Sequence, residues 1–80
     1  MDIHYTDDAL EDLRRIPLRH ADQITRKVER LRGGLAGDIK ALTNADSGYR
    51  LRSGDYRVLF DCDGRSVVVR AIKNRRDAYR

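Results

Sequence analysis

Three arginine residues lie close together in residues 49–60, YRLRSGDYRVLF. The guanidinium group of arginine is planar, always charged, and presents N–H donors that match the oxygen atoms of a phosphate. If the Ser-Gly-Asp turn closes a β-hairpin, the alternation of side chains places Arg50, Arg52 and Arg57 on one face. Like charges opposite each other on neighbouring strands destabilise a sheet. The pattern therefore favours a face that binds an anion such as phosphate.

A structural interpretation of the same face stays open. Leu59, Val68 and Ile72 are predicted to lie between the arginines, and the aliphatic part of an arginine side chain can cover such residues. In the functional interpretation, binding of a phosphate relieves the repulsion between the arginines.

The C-terminal segment KNRRDAYR, residues 73–80, adds basic residues and a phenol. Arg75, Arg76 and Arg80 follow the last predicted strand, and Tyr79 lies among them. Tyr79 can be a packing residue, but its ring could also stack on a nucleic-acid base. Positive charge nearby favours the ionised phenol, so its hydroxyl could also take part in proton transfer.

A strand and two helices are predicted before this basic region. Residues 2–5 read as a short strand, Thr6 as an N-cap, and the first helix ends near Ile16 because Pro17 disfavours a helical residue before it. An amphipathic stripe predicts a second helix that ends at Gly33-Gly34. The stripe consists of Ala21, Ile24, Val28 and Leu31.

Residues 33–48 are predicted to be a glycine-containing connector, followed by strands at about 49–53, 56–62 and 66–72. Gly54-Asp55 and Asp63-Gly64 are the predicted two-residue turns. The second turn would pair residue 62 with residue 65, so that Arg57 faces Arg70. The opposite face would be apolar and would carry Tyr49, Leu51, Tyr56, Val58, Phe60, Val67, Val69 and Ala71.

These elements predict an α+β fold in which residues 1–80 form one domain. The N-terminal strand joins an edge of a three-stranded antiparallel meander, and the helical hairpin packs on the apolar sheet face. The register is well specified, because a slip of one residue would bury the arginines.

The composition fits a small domain with a polyanionic partner. Of the 80 residues, 40% are hydrophobic and 38% are charged, which is typical of a compact globule. Residues 1–47 contain eight basic and nine acidic residues, whereas residues 48–80 contain nine basic and four acidic ones. This asymmetry indicates a nucleic acid as partner, although a generic solubilising surface would have the same composition.

Several classes of site are excluded by residue type. The single Cys62 rules out an intramolecular disulfide and a cysteine-based zinc site. No metal-binding motif or phosphate-binding loop is found, so no metal or other cofactor is expected. His4 and His20 are interpreted as structural or surface residues. No membrane span or signal pattern is found, so the expected location is the cytoplasm.

Three segments, GDIKAL, YRLRSGDYRVLF and AIKNRRDAY, follow the helical hairpin in this order. Together they resemble the RelE/ParE superfamily of toxins from bacterial type II toxin–antitoxin systems, over almost the whole chain and most closely the RelE branch. The resemblance implies a metal-independent endoribonuclease site that cuts messenger RNA in the ribosomal A site. It also implies a cognate antitoxin and contacts with ribosomal RNA.

The resemblance assigns catalytic roles to Arg50, Arg52, Arg57, Arg75 and Tyr79. Some RelE enzymes have lysine where this chain has Arg50 and Arg52, and arginine cannot act as a general base. Tyr79 is then the first choice of base. Otherwise Lys73 or Lys40 assists, or the rate depends mainly on electrostatics and orientation on the ribosome. RNA binding is expected from Lys40, Arg70, Lys73, Arg76 and Arg80.

Two other functions stay open. A ParE-like toxin would inhibit DNA gyrase by protein binding, and a further relative would bind nucleic acid without cutting it. The complete set of four arginines and Tyr79 favours the nuclease, because gyrase-directed relatives generally lack it. In both toxin interpretations, the antitoxin is expected to cover the arginine face.

Overall fold

The computed structural model describes residues 1–43 and 47–75. A single five-stranded sheet has the order β1-β5-β4-β3-β2. Strand β1 is parallel to β5 at one edge, and the other pairs are antiparallel. The elements are β1 (Asp2–Tyr5), α1 (Asp7–Arg15), α2 (Leu18–Glu29), a 3₁₀ turn (Arg30–Gly33), β2 (Ile39–Ala41), β3 (Tyr49–Ser53), β4 (Tyr56–Cys62) and β5 (Ser66–Asn74). The α+β prediction is confirmed.

Helix α2 ends at Glu29, earlier than the predicted Gly33-Gly34, and the chain continues to Gly33 as the 3₁₀ turn. Helix α1 begins and ends where local signals place it. Thr6 Oγ1 accepts a hydrogen bond from the Ala9 amide at 3.1 Å, and α1 ends just before Ile16 and Pro17. No helix within residues 1–43 and 47–75 is long and apolar enough to cross a membrane.

Strand β2 was not predicted, because it lies in the expected connector. It has three residues and is held by pairing with β3, where Ile39 faces Leu51 and Lys40 faces Arg50. Three residues are too few to show the alternation that identifies a strand. Pairing with β3 therefore defines β2.

The core lies between the helices and one face of the sheet. It contains Ala9, Ile24, Val28, Leu31, Leu51, Val58, Phe60, Val67, Val69 and Ile72. The Tyr49 ring stacks on Phe60 with a centroid distance of 5.4 Å. The His20 ring lies beside the Tyr56 ring with a centroid distance of 5.6 Å, which agrees with a structural role for this histidine.

The second hairpin turn lies one residue later than predicted. Cys62 pairs with Val67, so the central residues are Gly64 and Arg65, and Gly64 has a φ of 90°. Asp63 Oδ1 accepts hydrogen bonds from the amides of Arg65 at 2.9 Å and Ser66 at 2.8 Å. A glycine with positive φ at the first central position suits a type II′ turn.

A β-bulge then changes the pairing of β4 and β5. Phe60 faces Val69, but Leu59 faces Ala71, so Arg70 has no partner residue on β4. Because a bulge inserts one residue, it exchanges the two faces of the strand beyond it. Ile72 is therefore in the core, 5% exposed. Ala71 lies on the opposite face, so the predicted faces of Ala71 and Ile72 were wrong.

The Asp63 turn gives a testable pH dependence. The two backbone hydrogen bonds lower the pKa of the Asp63 carboxyl below its ordinary value of 3.8. Stability from this carboxylate is therefore present above pH 3.8 and is lost as the pH falls through the lower, folded-state pKa. Asp63→Asn keeps an acceptor but cannot titrate. We expect urea unfolding at several pH values to show a smaller acid-induced loss of stability in this variant. An identical acid dependence would contradict this assignment.

Candidate nucleic-acid interface

Five basic residues lie on the sheet face opposite to the core, which we call the basic face. They are Lys40, Arg50, Arg52, Arg57 and Lys73. Arg52, Arg57 and Lys73 face one another in a row across β3, β4 and β5. Neighbouring strands are about 4.8 Å apart, so this row spans roughly 10 Å. Arg50 and Lys40 form an adjacent row.

The bulge determines which cation lies opposite Arg57. The sequence predicted Arg70 at this position, and the structure places Lys73 there. The prediction was wrong because both the later turn and the bulge move β5 relative to β4. The cation opposite Arg57 on β5 is therefore a lysine, which can transfer a proton, and not an arginine, which cannot.

Arg70 has a carboxylate partner at the bulge. Its Nη1 atom lies 3.4 Å from Oδ2 of Asp61, and Oδ1 of Asp61 accepts a hydrogen bond from the Gly48 amide at 2.7 Å. Asp61 thus offsets the charge of Arg70. The predicted role of Arg70 in RNA binding stays a prediction.

The other predicted site residues lie near or beyond the end of β5. The Arg75 amide donates a hydrogen bond of 2.6 Å to the Asp55 carbonyl. This bond places Arg75 beside the β3–β4 turn, close to the row that contains Arg57. Arg76, Tyr79 and Arg80 lie outside the described residues.

The basic face differs from part of the helical surface in ion pairing. On the helices and the 3₁₀ turn, acidic neighbours pair with Arg14, Arg15, Arg26 and Arg32. Within the described part of the chain, Lys40, Arg50, Arg52 and Lys73 form no ion pair. The Nε atom of Arg50 is buried and has no hydrogen-bond partner among residues 1–43 and 47–75. A buried donor of this kind costs about 1–3 kcal/mol until it is satisfied. Lys40, Arg50, Arg52 and Lys73 thus have unused capacity to bind an anion.

Other polar groups give little sign of a second reactive site. In the described ranges, no group of three or more His, Cys, Asp or Glu side chains could hold a metal ion. Tyr5, which packs against the core, has a raised pKa, because burial and then the charge of Glu29 disfavour its phenolate.

Sequence reasoning missed Asp12, which supports the end of β5 from α1. Its Oδ2 atom accepts a hydrogen bond of 2.9 Å from the Ile72 amide. Ile72 follows the bulge and precedes Lys73, so this bond holds the segment that brings Lys73 onto the basic face. In the sequence, Asp12 is one of several acidic residues of an amphipathic helix, and no local pattern distinguishes it.

Asp12→Ala is expected to lower the free energy of unfolding by about 1–3 kcal/mol, because the Ile72 amide loses its partner in a partly buried position. Urea unfolding followed by circular dichroism measures this change. Asp12→Asn is the matched control, since it keeps an oxygen acceptor and should lose less. Equal stability of all three proteins would show that the bond contributes nothing.

Three solved complexes have a chain with the same fold. A chain of the RelB–RelE antitoxin–toxin complex of Methanococcus jannaschii is 22% identical over 95% of this chain and 94% of its own, with a TM-score of 0.81. A chain of the RelE–RelB complex of Pyrococcus horikoshii OT3 is 20% identical over 92% of this chain and 93% of its own, with a TM-score of 0.75. A chain of the toxin–antitoxin complex RelBE2 of Mycobacterium tuberculosis is 24% identical over 91% of this chain and 95% of its own, with a TM-score of 0.71. The fold is therefore that of the RelE-like toxins.

A comparison with protein families identifies the family itself. The family described as the ParE toxin of the type II toxin–antitoxin system parDE matches residues 3–79. The chain belongs to this family, within the RelE/ParE superfamily of type II toxins. A comparison with curated protein sequences returns no match.

Proposed function

We propose that this toxin is a metal-independent endoribonuclease that cuts messenger RNA on the ribosome and thereby stops translation. The observation that carries the proposal is the row of Arg52, Arg57 and Lys73 across the centre of the sheet. Cleavage by a neighbouring hydroxyl concentrates negative charge on the phosphate in the transition state. Fixed cationic donors stabilise such charge more effectively than water does.

In the proposed reaction, the 2′-oxygen of a nucleotide attacks the adjacent phosphorus and the bond to the 5′-oxygen breaks. The products are a 2′,3′-cyclic phosphate and a 5′-hydroxyl. One proton leaves the 2′-hydroxyl, and one is delivered to the departing 5′-oxygen. Arg52 and Arg57 bind the phosphate, since arginine stays protonated. We assign one proton transfer to Tyr79 and the other to Lys73, which belongs to the row.

The proposed partners follow from the same charges. A cognate antitoxin would cover the basic face with carboxylate groups, and the three solved complexes each pair a toxin with an antitoxin. Ribosomal RNA would offer phosphates to the basic residues around the row, such as Lys40 and Arg75. The proposed activity would take place in the cytoplasm, where the ribosomes are.

A second candidate function is inhibition of DNA gyrase by protein binding. The description of the matching family as the ParE toxin of parDE favours it. In this case the toxin would cut no RNA, and the basic face would contact a protein surface.

Translation in a purified system, followed by primer extension on the messenger RNA, tests the first proposal. We expect new 5′ ends within the A-site codon, and fewer of them with Tyr79→Phe. A DNA supercoiling assay with gyrase is run in parallel and should be unaffected. Intact messenger RNA together with inhibited supercoiling would exclude the nuclease and support the second candidate. Binding of RNA without either effect would exclude both.

A further inference from the structure

A second basic surface lies in a groove beside the basic face, between the end of α2 and the segment before β2. The groove has a volume of about 320 Å³. It is lined by Lys27, Arg30, Ala36, Gly37, Asp38, Leu51 and Arg52. Three of these side chains are cationic and one is a carboxylate, so the lining carries a net positive charge.

Arg52 belongs to both the basic face and the groove. Strand β2 begins at Ile39, which faces Leu51, so the paired part of β2 does not reach Arg52. The Arg52 amide donates a hydrogen bond of 3.0 Å to the Asp38 carbonyl, where the chain enters β2. The row of cations on β5, β4 and β3 therefore continues past the sheet into the groove.

The cations of the groove differ from their neighbours in ion pairing. Arg26 pairs with Asp22, and Arg32 pairs with Glu29. In contrast, Lys27 and Arg30 form no ion pair among residues 1–43 and 47–75. The sequence explains the difference, because neither residue has an acidic side chain three or four positions away on its helix. The two unpaired cations thus lie between two paired ones in the sequence, and the unpaired ones line the groove.

We propose that this groove binds the sugar-phosphate backbone of a single RNA strand where the strand continues beyond the basic face. The inference rests on the proposed RNA-binding function of that face. The row of Arg52, Arg57 and Lys73 spans only roughly 10 Å, so it holds a short part of a strand. A longer strand that passes Arg52 enters the groove, where Lys27 and Arg30 contact its phosphates and release counterions.

The test measures binding by fluorescence anisotropy, using 2′-O-methylated RNA that cannot be cleaved. Two lengths, about 4 and about 12 nucleotides, distinguish the basic face from the longer track. We expect the double variant Lys27→Ala/Arg30→Ala to bind the longer RNA about 10-fold more weakly and the shorter RNA almost as wild type. The slope of log affinity against log salt should fall by about 1.4 for the longer RNA, from two lost phosphate contacts.

The matched control is Arg26→Ala/Arg32→Ala, which removes the same charge from the same region but from side chains that are already paired. It should change both affinities less than about 2-fold, since neither side chain lines the groove and salt screens charges farther from the RNA. Unchanged binding by the Lys27/Arg30 variant would overturn the inference. The inference would also be overturned if the Lys27/Arg30 variant lost affinity equally for both RNA lengths. The same holds if this variant bound both RNAs like wild type and lost affinity only for the antitoxin. Cleavage is not measured in this assay. A toxin that binds the longer RNA through the groove but cuts no RNA would therefore refute only the proposed nuclease activity.

Discussion

Arg57→Ala is expected to slow messenger RNA cleavage by about 10²–10³-fold, the usual cost of removing one donor that stabilises charge in a transition state. Arg57 lies on β4, the central strand of the sheet. It lies between Arg52 on one neighbouring strand and Lys73 on the other. A phosphate bound at the middle of the row therefore depends on Arg57 more than on either end. The rate of appearance of primer-extension products measures the effect.

Two further variants give this experiment its controls. Arg57→Lys keeps the charge but loses the planar pair of donors, so it should recover part of the activity. Arg14→Ala removes an exposed cation that pairs with Glu11 on α1, and its cleavage rate should equal that of wild type. A wild-type rate for Arg57→Ala would remove Arg57 from the proposed mechanism. If gyrase is the target instead, none of the three variants would change messenger RNA.

Phe60→Ala is expected to lower the free energy of unfolding by about 3–5 kcal/mol. Phe60 is fully buried and its ring stacks on Tyr49. Domains of this size have a total stability of only about 4–12 kcal/mol. The variant should therefore lose a large part of the total stability and unfold at a much lower urea concentration than wild type. Urea unfolding followed by circular dichroism measures the change, with 1-anilinonaphthalene sulfonate fluorescence as a check for loose packing.

Leu18→Ala is the control for this prediction, because Leu18 is 83% exposed. Its stability should stay within about 0.5 kcal/mol of wild type. A loss below about 1 kcal/mol in Phe60→Ala would mean that the core around β4 readjusts to fill the space.

The parts of this fold that follow from the sequence are those with local causes. Thr6 and Pro17 bound the first helix through the capping hydroxyl and the steric effect of the proline ring. The turn at Gly54 and Asp55 pairs Ser53 with Tyr56, so Arg52 faces Arg57 as predicted. Each of these features depends on residues a few positions apart.

The C-terminal half of the site depends on contacts between distant parts of the chain. No local sequence pattern predicts the bulge at Arg70. This bulge brings Lys73 opposite Arg57 and Ile72 into the core. The Ile72 amide bonds to Asp12 on α1, 60 positions away in the sequence. Pairing with β3 likewise defines β2 and leaves Arg52 open to the groove beside it.

The sequence by itself determined the residue types of the basic face, the helices and the first hairpin, because charge, capping and turn chemistry act locally. Only the tertiary structure decided which cation of β5 lies opposite Arg57. A strand's partner and its bulges depend on how the whole sheet packs against the helices, and this packing is set by residues far apart in the chain.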